Sequence, residues 1–380
     1  MSDQKGLIFP AIEPWSEPVD LTELLNEISA EINRYSILSK EASVAVTLWI
    51  AGTYIFDHLS LYPLLLLTSP EKRCGKTTLL LVIKFMVHSP FTVSNISPAS
   101  LYRMIESHAP TLLIDEADTF LTDKAEMTGI INSGHTKSAA RVVRCAPNTH
   151  EPESFSTWCP KVIAMIKKPA ETLVDRSIVI ELKRKLPTEK TDRLRHLDGQ
   201  QFEVICRKLA RIAIDYNVQI AAARPSLPDC LNDRASENWE PLIAIADIAG
   251  DSWGRRARDS AITLSLAIDN DEENLGILLL RDIAEIFETE SMKRISSNEL
   301  CNHLIGTEES PWGDEYLTKR KLAKLLSPFG IRPSTHRINN KPQKGYLLSD
   351  FADAFPRYLG KTVTPLQPNT EAISNNIDEQ

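Results

Sequence analysis

The segment at residues 69–78, SPEKRCGKTT, contains residue types that can hold a phosphate chain. Such a chain needs inward-pointing backbone N–H groups, a flexible positive charge and a hydroxyl group that ligates Mg²⁺. Gly75, Lys76 and Thr77 supply these in that order, after the apolar residues 63–68. The pattern therefore predicts a buried strand, a phosphate-binding loop and a helix that begins at the loop.

The loop departs from the general pattern G-x-x-x-x-G-K-[ST] at its first position, where Pro70 replaces glycine. Proline fixes φ near about −65° and removes one backbone N–H. The same residues also occur at ordinary helix starts, so this motif alone leaves that alternative open. The loop residues expected to contact a nucleotide are Pro70, Cys74, Gly75, Lys76, Thr77 and Thr78.

A second apolar segment, residues 111–114, ends in Asp115 and Glu116, and Asp115 follows Lys76 by 39 residues. This distance suits two strands of one parallel sheet. Asp115 can hold Mg²⁺ together with Thr77, and Glu116 can polarise the attacking water. The two motifs together predict a site that hydrolyses ATP with Mg²⁺; the alternative is a degenerate site without hydrolysis.

The composition is that of a soluble globular protein of 380 residues, 42% hydrophobic and 25% charged. This length allows two or three domains. Six scattered cysteines without a C-x-x-C pair predict reduced, intracellular thiols rather than disulfides or a zinc site, and hence a cytoplasmic protein. The longest uncharged helical stretch, residues 42–56, is too short to cross a membrane, so we expect no membrane partner.

Charge is distributed unevenly along the chain. The net charge is −8, yet the segment between residues 318 and 346 has eight Lys and Arg and no acidic residue, so the rest of the chain carries −16. We expect this basic segment to meet one local anionic partner.

Apolar segments alternate with helical patterns over the first half of the chain, which predicts an α/β fold with a parallel sheet. The predicted strands after the first are residues 91–95, 111–115, 161–166 and 177–182. The predicted helices are residues 21–32, 41–59, 200–217, 239–249, 253–267 and 275–288, with two more that begin at Ser296 and Thr318. Residues 331–338 and 345–348 flank a turn and predict a β-hairpin.

These elements divide the chain into five predicted segments. Residues 1–35 form an N-terminal arm, 36–185 a P-loop ATPase core of AAA+-like type, and 186–274 a helical lid. Residues 275–360 combine three helices with a two-stranded wing, which is typical of a C-terminal winged-helix domain. The polar residues 361–380 predict a disordered tail.

Four sequence blocks resemble a known family: SPEKRCGKTT at residues 69–78, LVDRSIVI at 173–180, DRASENW at 233–239 and IAIADIAG at 243–250. The family is bacterial and phage-borne and long described only as of unknown function. Its ATPase-plus-winged-helix unit forms the helicase-like half of phage, plasmid and genomic-island replication proteins. The similarity spans most of residues 14–359, and a proline at the start of the phosphate loop is normal for the family.

The resemblance implies an AAA+-like ATPase that acts on DNA and is commonly found beside or fused to a primase. Because only about 60 residues precede the first strand, we expect any primase or replication initiator to be a separate polypeptide. The chain departs from the family at Glu237, where aspartate is expected, and at Lys167 and Lys168 after the fourth strand. In AAA+ proteins a polar residue there helps to position the attacking water, so no sensor residue is assigned on that strand.

Arg176 has a role implied by the resemblance. It lies where AAA+ proteins carry the arginine that reaches the γ-phosphate of a neighbouring subunit. Such an arginine implies a homo-oligomer, with a hexameric ring as one form. The alternative is an ion pair with Asp175 or Glu171.

Arg234 corresponds in the same way to the lid arginine of AAA+ proteins, which contacts phosphate within its own subunit. The alternative is a helix-capping pair with Asp233 or Glu237. Arg255 and Arg256 are further candidates for the lid arginine.

Two basic regions are candidate DNA contacts. Residues 134–144 contain no acid, and superfamily-three-type helicases carry a pore hairpin in this interval, so Lys137, Arg141 and Arg144 are expected contacts. A solvated surface loop is the alternative. In the winged-helix domain a docking surface for protein is the alternative to DNA binding. The expected contacts there are Lys319, Arg320, Lys321, Lys324, Lys341 and Lys344.

Together these patterns predict a DNA-dependent ATPase, a helicase-like motor of a mobile-element or phage-type replication module that acts on single-stranded or forked DNA. The alternative is a non-translocating AAA+ nucleotide switch, such as a loader, regulator or defence ATPase. Residues 115–118 also spell DEAD, the tetrapeptide of another helicase superfamily. The Ser-Ala-Thr and His-Arg-x-Gly-Arg motifs of that superfamily do not occur in this chain.

Overall fold

The computed structural model describes residues 9–94, 96–119, 125–145, 151–166, 169–194, 199–271, 275–290, 292–306, 312, 317–338 and 341–359. The chain divides by its internal contacts into two units, Met1–Ile268 and Asp269–Gln380. Lys167, Lys168, the predicted turn at residues 339–340 and the predicted tail at 361–380 lie outside the described residues.

The described residues contain ten strands and thirteen α-helices. The strands are β1 Leu64–Thr68, β2 Pro90–Val93, β3 Thr111–Ile114, β4 Arg141–Cys145, β5 Pro152–Ser156, β6 Lys161–Ala164, β7 Ser177–Glu181, β8 Arg294–Ser296, β9 Ser334–Ile338 and β10 Lys341–Leu347. The helices are α1 Leu21–Tyr35, α2 Lys40–Gly52, α3 Lys76–Met86, α4 Pro98–His108, α5 Ala125–Ser133, α6 Glu171–Val174, α7 Gln200–Ala222, α8 Asp233–Ala249, α9 Asp251–Asp271, α10 Leu275–Thr289, α11 Ser297–Ile305, α12 Lys319–Leu326 and α13 Ala354–Leu359.

The first unit is built around a five-stranded sheet in the order β2-β3-β6-β1-β7. Every neighbouring pair of strands is parallel; Leu66 of β1, for example, pairs with Ile163 of β6 and Val179 of β7. The predicted α/β fold with a parallel sheet is therefore confirmed. Because all five strands run the same way, their carboxyl ends meet at one edge, which is where parallel sheets bind ligands.

Helices cover both faces of this sheet, as the alternation of side chains along β1 requires. Leu65 and Leu67 pack in the larger apolar cluster, with residues of α1, α2, α3, α7 and α8. Leu64 and Leu66 belong to a second cluster, with residues of α4, α5 and α6. Burial on both faces explains why β1 begins as an unbroken run of leucines.

Strands β4 and β5 form an antiparallel hairpin separate from the core sheet, in which Val142 pairs with Phe155. The hairpin connects α5 to β6, so its base lies at the amino edge of the core sheet, opposite the edge where the strands end. An isolated bridge between Leu61, just before β1, and Thr136 fixes the start of the hairpin segment at that edge.

The second unit combines α10, α11, α12 and α13 with an antiparallel sheet in the order β8-β10-β9. Its separate apolar core includes the fully buried Leu280, Ile295 and Leu322. Strand β8 was not predicted, because three residues are too few to show alternation. Where β10 pairs with β8, position 345 must be glycine, because an added Cβ would lie 2.2 Å from the carbonyl oxygen of Ile295.

The predicted helix over residues 41–59 is wrong at its end, because α2 stops at Gly52. The Thr53 hydroxyl donates to the Ile50 carbonyl at 2.7 Å, and the chain then turns. Gly52 also leaves room for the Tyr62 ring, whose hydroxyl oxygen would lie 2.4 Å from a Cβ at that position. The segment 1–35, predicted as an arm, ends in α1, which packs in the larger apolar cluster.

The predicted start of α8 at residue 239 is also wrong, because the helix begins six residues earlier, at Asp233. Asn232 caps it by accepting a hydrogen bond from the Ala235 N–H at 2.8 Å. Pro241 lies in the interior of α8, where it is buried.

Candidate active site

The loop that follows β1 has the backbone geometry of an anion site. Gly75 is the N-cap of α3 and has φ +87°, a conformation that glycine adopts without strain. Arg73 also has a positive φ, +66°. No side chain caps α3 at Gly75, so the first N–H groups of the helix face the loop without an intrahelical partner, as they do where helices bind phosphate.

Lys76 is held inside this loop. Only 9% of its surface is exposed, and its ammonium donates a hydrogen bond to the Ser69 hydroxyl at the start of the loop. The Ser69 hydroxyl in turn donates to the Glu71 carbonyl at 2.6 Å. The positive charge of Lys76 is therefore fixed across the mouth of the loop. Sequence analysis assigned no role to Ser69, which holds it there.

Thr77 meets the carboxylate that follows β3. Its hydroxyl lies 3.2 Å from Asp115 Oδ2, and Asp115 Oδ1 accepts the Glu116 N–H at 2.9 Å. Glu116 has φ +52°, a left-handed conformation that is uncommon for a residue with a side chain. The structure thus brings together the two residues that sequence analysis assigned to Mg²⁺, although one lies in α3 and the other follows β3.

A hydroxyl and a carboxylate are the hard oxygen ligands that Mg²⁺ prefers, so Thr77 and Asp115 fit this ion. Among the described residues, no group of three or more His, Cys, Asp or Glu side chains could hold a metal ion. This is compatible with Mg²⁺, which usually takes one or two protein ligands and completes its shell with water and phosphate oxygens.

Asp118 is a site residue that sequence analysis did not identify. Its Oδ2 accepts the backbone N–H of Ile166, just after β6, at 2.8 Å. Asp118 therefore ties the carboxylate segment to the end of the neighbouring strand. The signal for it in the sequence is the fourth letter of the DEAD tetrapeptide at residues 115–118.

These parts enclose a cavity of about 460 Å³ at the carboxyl edge of the sheet. Its lining consists of residues 72–78 of the loop, the acidic residues Asp115, Glu116 and Asp118, and residues 164–166 after β6. Pro70 does not line this cavity. All three predicted catalytic and metal groups of the two motifs, Thr77, Asp115 and Glu116, meet here.

A second cavity, of about 480 Å³, lies on the other side of the loop and shares Arg73, Cys74, Gly75 and Thr78 with the first. Its walls include residues 35–37 at the end of α1 and residues 191–194. The two walls are joined by Arg34 and Asp192, whose side chains form an ion pair at 2.7 Å. The hydrogen bond to Asp192 also raises the pKa of Arg34.

Arg176 lies at the opposite edge of the sheet. It precedes Ser177, which pairs with Leu64 at the start of β1, whereas the phosphate loop follows the end of β1. Five residues at about 3.3 Å each separate these edges by about 16 Å. Arg176 donates to the Thr172 carbonyl at 2.7 Å, and among the described residues it forms no ion pair with Asp175 or Glu171.

Arg234 does not line either cavity. Its guanidinium forms an ion pair with Glu237 at 2.5 Å, the alternative that sequence analysis left open. Four residues further along α8, Asn238 donates from Nδ2 to the Asp175 carbonyl at 2.9 Å. The amino end of α8 therefore lies beside Arg176 and at the amino edge of the core sheet.

His135 and Asn238 form a buried polar contact that sequence analysis did not predict. Asn238 Oδ1 lies 2.7 Å from His135 Nε2, and the two residues are 3% and 2% exposed. Burial lowers the pKa of His135, and the charges of Arg234 and Arg176 lower it further, against the hydrogen bond to Asn238. The neutral imidazole, with Nε2–H donating to Asn238, is consistent with this network.

The cations of the β4–β5 segment have partners within the chain. Lys137 donates to the Asp57 carbonyl and lies 5.9 Å from the centroid of the Trp158 ring. Arg144 forms an ion pair with Glu126 at 2.7 Å. Arg141 is exposed and donates to the Ser154 hydroxyl at 3.2 Å. Of the three predicted DNA contacts, Lys137 and Arg141 are exposed and Arg144 is half-buried.

The basic residues of the second unit are mostly on its surface. Lys319 and Arg320 in the first turn of α12 are exposed, as is Lys324 one turn later, while Lys321 is half-buried. Lys344 of β10 is exposed too. The side chain of Lys341 lies outside the described residues.

Comparison with known proteins places part of the chain in a family. Residues 181–358 match a family described as "Protein of unknown function (DUF3631)". The chain is 36% identical over 183 residues to an "Uncharacterized 28.9 kDa protein in xis 5'region" of Saccharopolyspora erythraea, covering 47% of this chain and 68% of that protein.

Similar solved structures are more distant. The apo A form of the NrS-1 C-terminal region is 13% identical, with a TM-score of 0.40 over 88% of this chain and 77% of that one. A full-length MCM homolog from Methanopyrus kandleri is 10% identical, with a TM-score of 0.42 over 68% of this chain and 63% of that one. Among the described residues, no helix has the length and apolar character to cross a membrane. The chain belongs to the same family as the Saccharopolyspora erythraea protein, with which it shares more than a third of its residues over two thirds of that protein's length.

Proposed function

We propose that this protein is an AAA+-like P-loop ATPase that acts on DNA, the helicase-like motor of a mobile-element or phage-type replication module. One observation carries the proposal: Thr77, next to the buried Lys76, contacts the Asp115 carboxylate at 3.2 Å. The loop between β1 and α3 and the segment after β3 thus supply together the cation, the hydroxyl and the carboxylate that a Mg²⁺-bound triphosphate requires.

Each of these side chains has one role in the hydrolysis of ATP. Lys76 binds the β- and γ-phosphate oxygens. Thr77 and Asp115 would hold Mg²⁺, which would neutralise charge on the transferring phosphoryl group. Glu116 accepts a proton from the attacking water while the oxygen of that water bonds to the γ-phosphorus. The bond from that phosphorus to the bridging oxygen breaks, and ADP leaves with the bond's electron pair.

The sheet order provides room for this reaction. Strand β6 lies between β1 and β3, so the phosphate loop and the acidic segment begin about 9.6 Å apart, at two strand spacings of about 4.8 Å. A phosphoryl group and a water molecule fit between them. The bond from Ile166 to Asp118 holds the end of β6 as the floor of this space.

The second cavity suits the nucleoside. It continues from the phosphate loop through Gly75 and Thr78, and its walls include the aromatic Tyr35 and the apolar Ile37. Apolar walls with a few polar groups are typical of nucleotide-base sites. We therefore place the base on this side of the loop and the triphosphate on the other.

The position of Arg176 supports the proposal that the enzyme is an oligomer. It is too far from the phosphate loop of its own chain to reach it, since the sheet separates the two by about 16 Å. A guanidinium supplied by a neighbour stabilises the charge of the transition state and contributes about 10³ to 10⁵ in rate in related NTPases. A ring in which each chain presents Arg176 to the next is the arrangement that uses it.

The elements of the second unit support the proposal that the protein binds DNA. Along the chain, three helices and three strands follow one another in the order of a winged helix: α10, β8, α11, α12, β9 and β10. The helix that such domains place on DNA corresponds to α12. Its exposed Lys319, Arg320 and Lys324 are suited to phosphate contacts.

One observation favours the alternative of a non-translocating nucleotide switch. Lys137 and Arg144, expected at the DNA-gripping hairpin, both have partners within the chain. A hairpin with cations already bound grips DNA weakly. In that case ATP would control docking of the second unit on a protein or a DNA site without movement along a strand.

The test is steady-state ATP hydrolysis by the wild type, Lys76→Ala and Glu116→Gln, with and without single-stranded and duplex DNA, over a range of protein concentration. Turnover that single-stranded DNA raises, that grows more than linearly with protein and that is lost in both variants supports the motor. Hydrolysis indifferent to DNA supports the switch. If the wild type neither binds nor hydrolyses ATP, the proposal is wrong.

A further inference from the structure

Two arginines stand together at the amino edge of the core sheet, away from both cavities. Arg234 and Asn238 are four residues apart on α8 and therefore lie on the same face of that helix. Asn238 donates to the Asp175 carbonyl at 2.9 Å. Because Arg176 is the next residue, the Arg234 side chain lies about one helical turn from it.

The electrostatics of His135 support the same juxtaposition. Arg234 and Arg176 each lower the pKa of this buried ring, so both guanidinium groups lie near it. His135 bonds to Asn238 at 2.7 Å. Both arginines therefore lie near the buried pair formed by His135 and Asn238.

We propose that Arg176 and Arg234 form a two-arginine site for the triphosphate bound by a second copy of this chain. This inference rests on the proposed ATPase function. It reverses the expectation that Arg234 contacts phosphate within its own subunit.

The position of α8 argues against a contact within the subunit. Asn238 fixes the first turns of α8 at the edge where β1 and β7 begin. The phosphate loop follows the end of β1, about 16 Å away along the strand, which exceeds the reach of an arginine side chain. A second copy that presents its carboxyl edge to this surface brings its triphosphate within reach of both guanidinium groups.

Both guanidinium groups are available to such a ligand. Arg234 is 45% exposed and Glu237, its partner, 48% exposed. Exposed ion pairs of this kind are weak, so a phosphate with more charge can replace the carboxylate. Arg176 donates from Nη1 to a backbone carbonyl, and its planar fork has further N–H groups for bidentate phosphate binding.

The decisive experiment mixes two inactive full-length variants by co-expression and co-purification. Lys76→Ala keeps the arginines and loses its own nucleotide site, whereas Arg234→Ala keeps its site and loses the arginine. If Arg234 acts on the neighbour, mixed oligomers contain complete sites and recover roughly a quarter of wild-type turnover at equal amounts, because about one interface in four has the productive order. If it acts within its own subunit, no chain is complete and nothing is recovered.

Arg176→Ala mixed with Lys76→Ala separates this inference from the proposed function. Recovery with Arg176→Ala but not with Arg234→Ala overturns the two-arginine site and leaves the ATPase in place. Arg224→Ala is the matched control, since Arg224 is exposed and donates to the backbone carbonyls of Ala221 and Ala223. It should retain wild-type turnover alone, whereas Arg234→Ala alone should lose on the order of 10²-fold in kcat.

Binding of N-methylanthraniloyl-ATP gives a readout that needs no turnover. In dilute, monomeric protein Arg234→Ala should bind this probe as tightly as the wild type, while Lys76→Ala should not bind it. With rising protein concentration the wild type should bind more tightly and Arg234→Ala should not. A weaker affinity of monomeric Arg234→Ala overturns the inference, and so does a wild type that does not bind the probe, which also removes the proposed function.

Discussion

The Asp118 carboxylate accepts the backbone N–H of Ile166 at 2.8 Å and so joins the segment after β3 to the end of β6. Both segments line the cavity that holds Asp115 and Glu116. The geometry of the acidic groups therefore depends on a carboxylate that is not itself one of the predicted catalytic residues.

Replacement of Asp118 tests this dependence. In Asp118→Ala the Ile166 N–H loses its acceptor, and we expect the free energy of unfolding to fall by about 1–3 kcal/mol. We also expect kcat for ATP to fall more than the affinity for ATP, because the loop that binds phosphate is unchanged. Asp118→Asn keeps an acceptor oxygen and should retain most of the stability. Urea denaturation and steady-state kinetics measure both effects, and equal losses in the two variants would contradict the role of the hydrogen bond.

The Thr77 hydroxyl should matter only when Mg²⁺ is present. Thr77→Val keeps the shape of the side chain and removes the oxygen that lies 3.2 Å from Asp115. We expect its Mg²⁺-dependent turnover to fall by about 10²-fold, since the ion loses one of its two protein ligands. Binding of ATP in excess EDTA should not change.

Thr77→Ser is the matched control for this prediction, because it keeps the hydroxyl and loses only a methyl group. It should hydrolyse ATP at close to the wild-type rate. If Thr77→Val binds ATP more weakly in EDTA as well, the hydroxyl acts on the loop itself and not through the metal.

Stability should depend on pH through His135. Burial and the nearby arginines lower the pKa of this histidine in the folded protein below its ordinary value of 6.5. As the pH falls through about 6.5, the unfolded chain therefore binds a proton that the folded protein does not, and the free energy of unfolding decreases. The decrease ends once the pH is below the pKa of the folded state, and above about 6.5 His135 contributes no pH dependence.

In His135→Gln this part of the pH dependence should disappear, while the glutamine amide can still donate to Asn238. Urea denaturation of both proteins at several pH values between about 5 and 8 measures the difference. A residual slope is expected, because burial also lowers the pKa of His88. Identical slopes for the two proteins would show that His135 does not have a lowered pKa.

The local patterns of the sequence were sufficient to predict the parallel sheet and the position of the loop between β1 and α3. Lys76, Thr77 and Asp115 stand next to strands whose apolar runs are unmistakable, and parallel strands must bring their carboxyl ends to one edge. No such rule predicts the contact between His135 and Asn238, which are 103 residues apart. Both stand among other polar residues in the sequence, so no local pattern marks them as buried, and their contact is defined only by the packing of α8 on the core.

The start of α8 shows a second limit. Pro241 and Asn232 both favour a helix start, and the sequence offers no way to rank them. The packing of α8 selects the start at Asn232, because the helical turns between Asn232 and Pro241 place Asn238 against the core. Sequence analysis therefore located the residues at the carboxyl edge of the sheet better than those at the opposite edge.

The basic residues of α12 should set the salt dependence of DNA binding. Each lysine that meets a phosphate of duplex DNA contributes about 0.9 to the slope of log affinity against log salt concentration. Lys319 and Lys324 are both exposed, so Lys319→Ala/Lys324→Ala should reduce the magnitude of that slope by about 1.8. Arg357→Ala is the matched control, because Arg357 lies in the same unit and is paired with Asp353 at 2.8 Å. Fluorescence anisotropy of a labelled duplex at several salt concentrations gives the slopes, and a double variant with the wild-type slope would mean that α12 does not contact DNA phosphates.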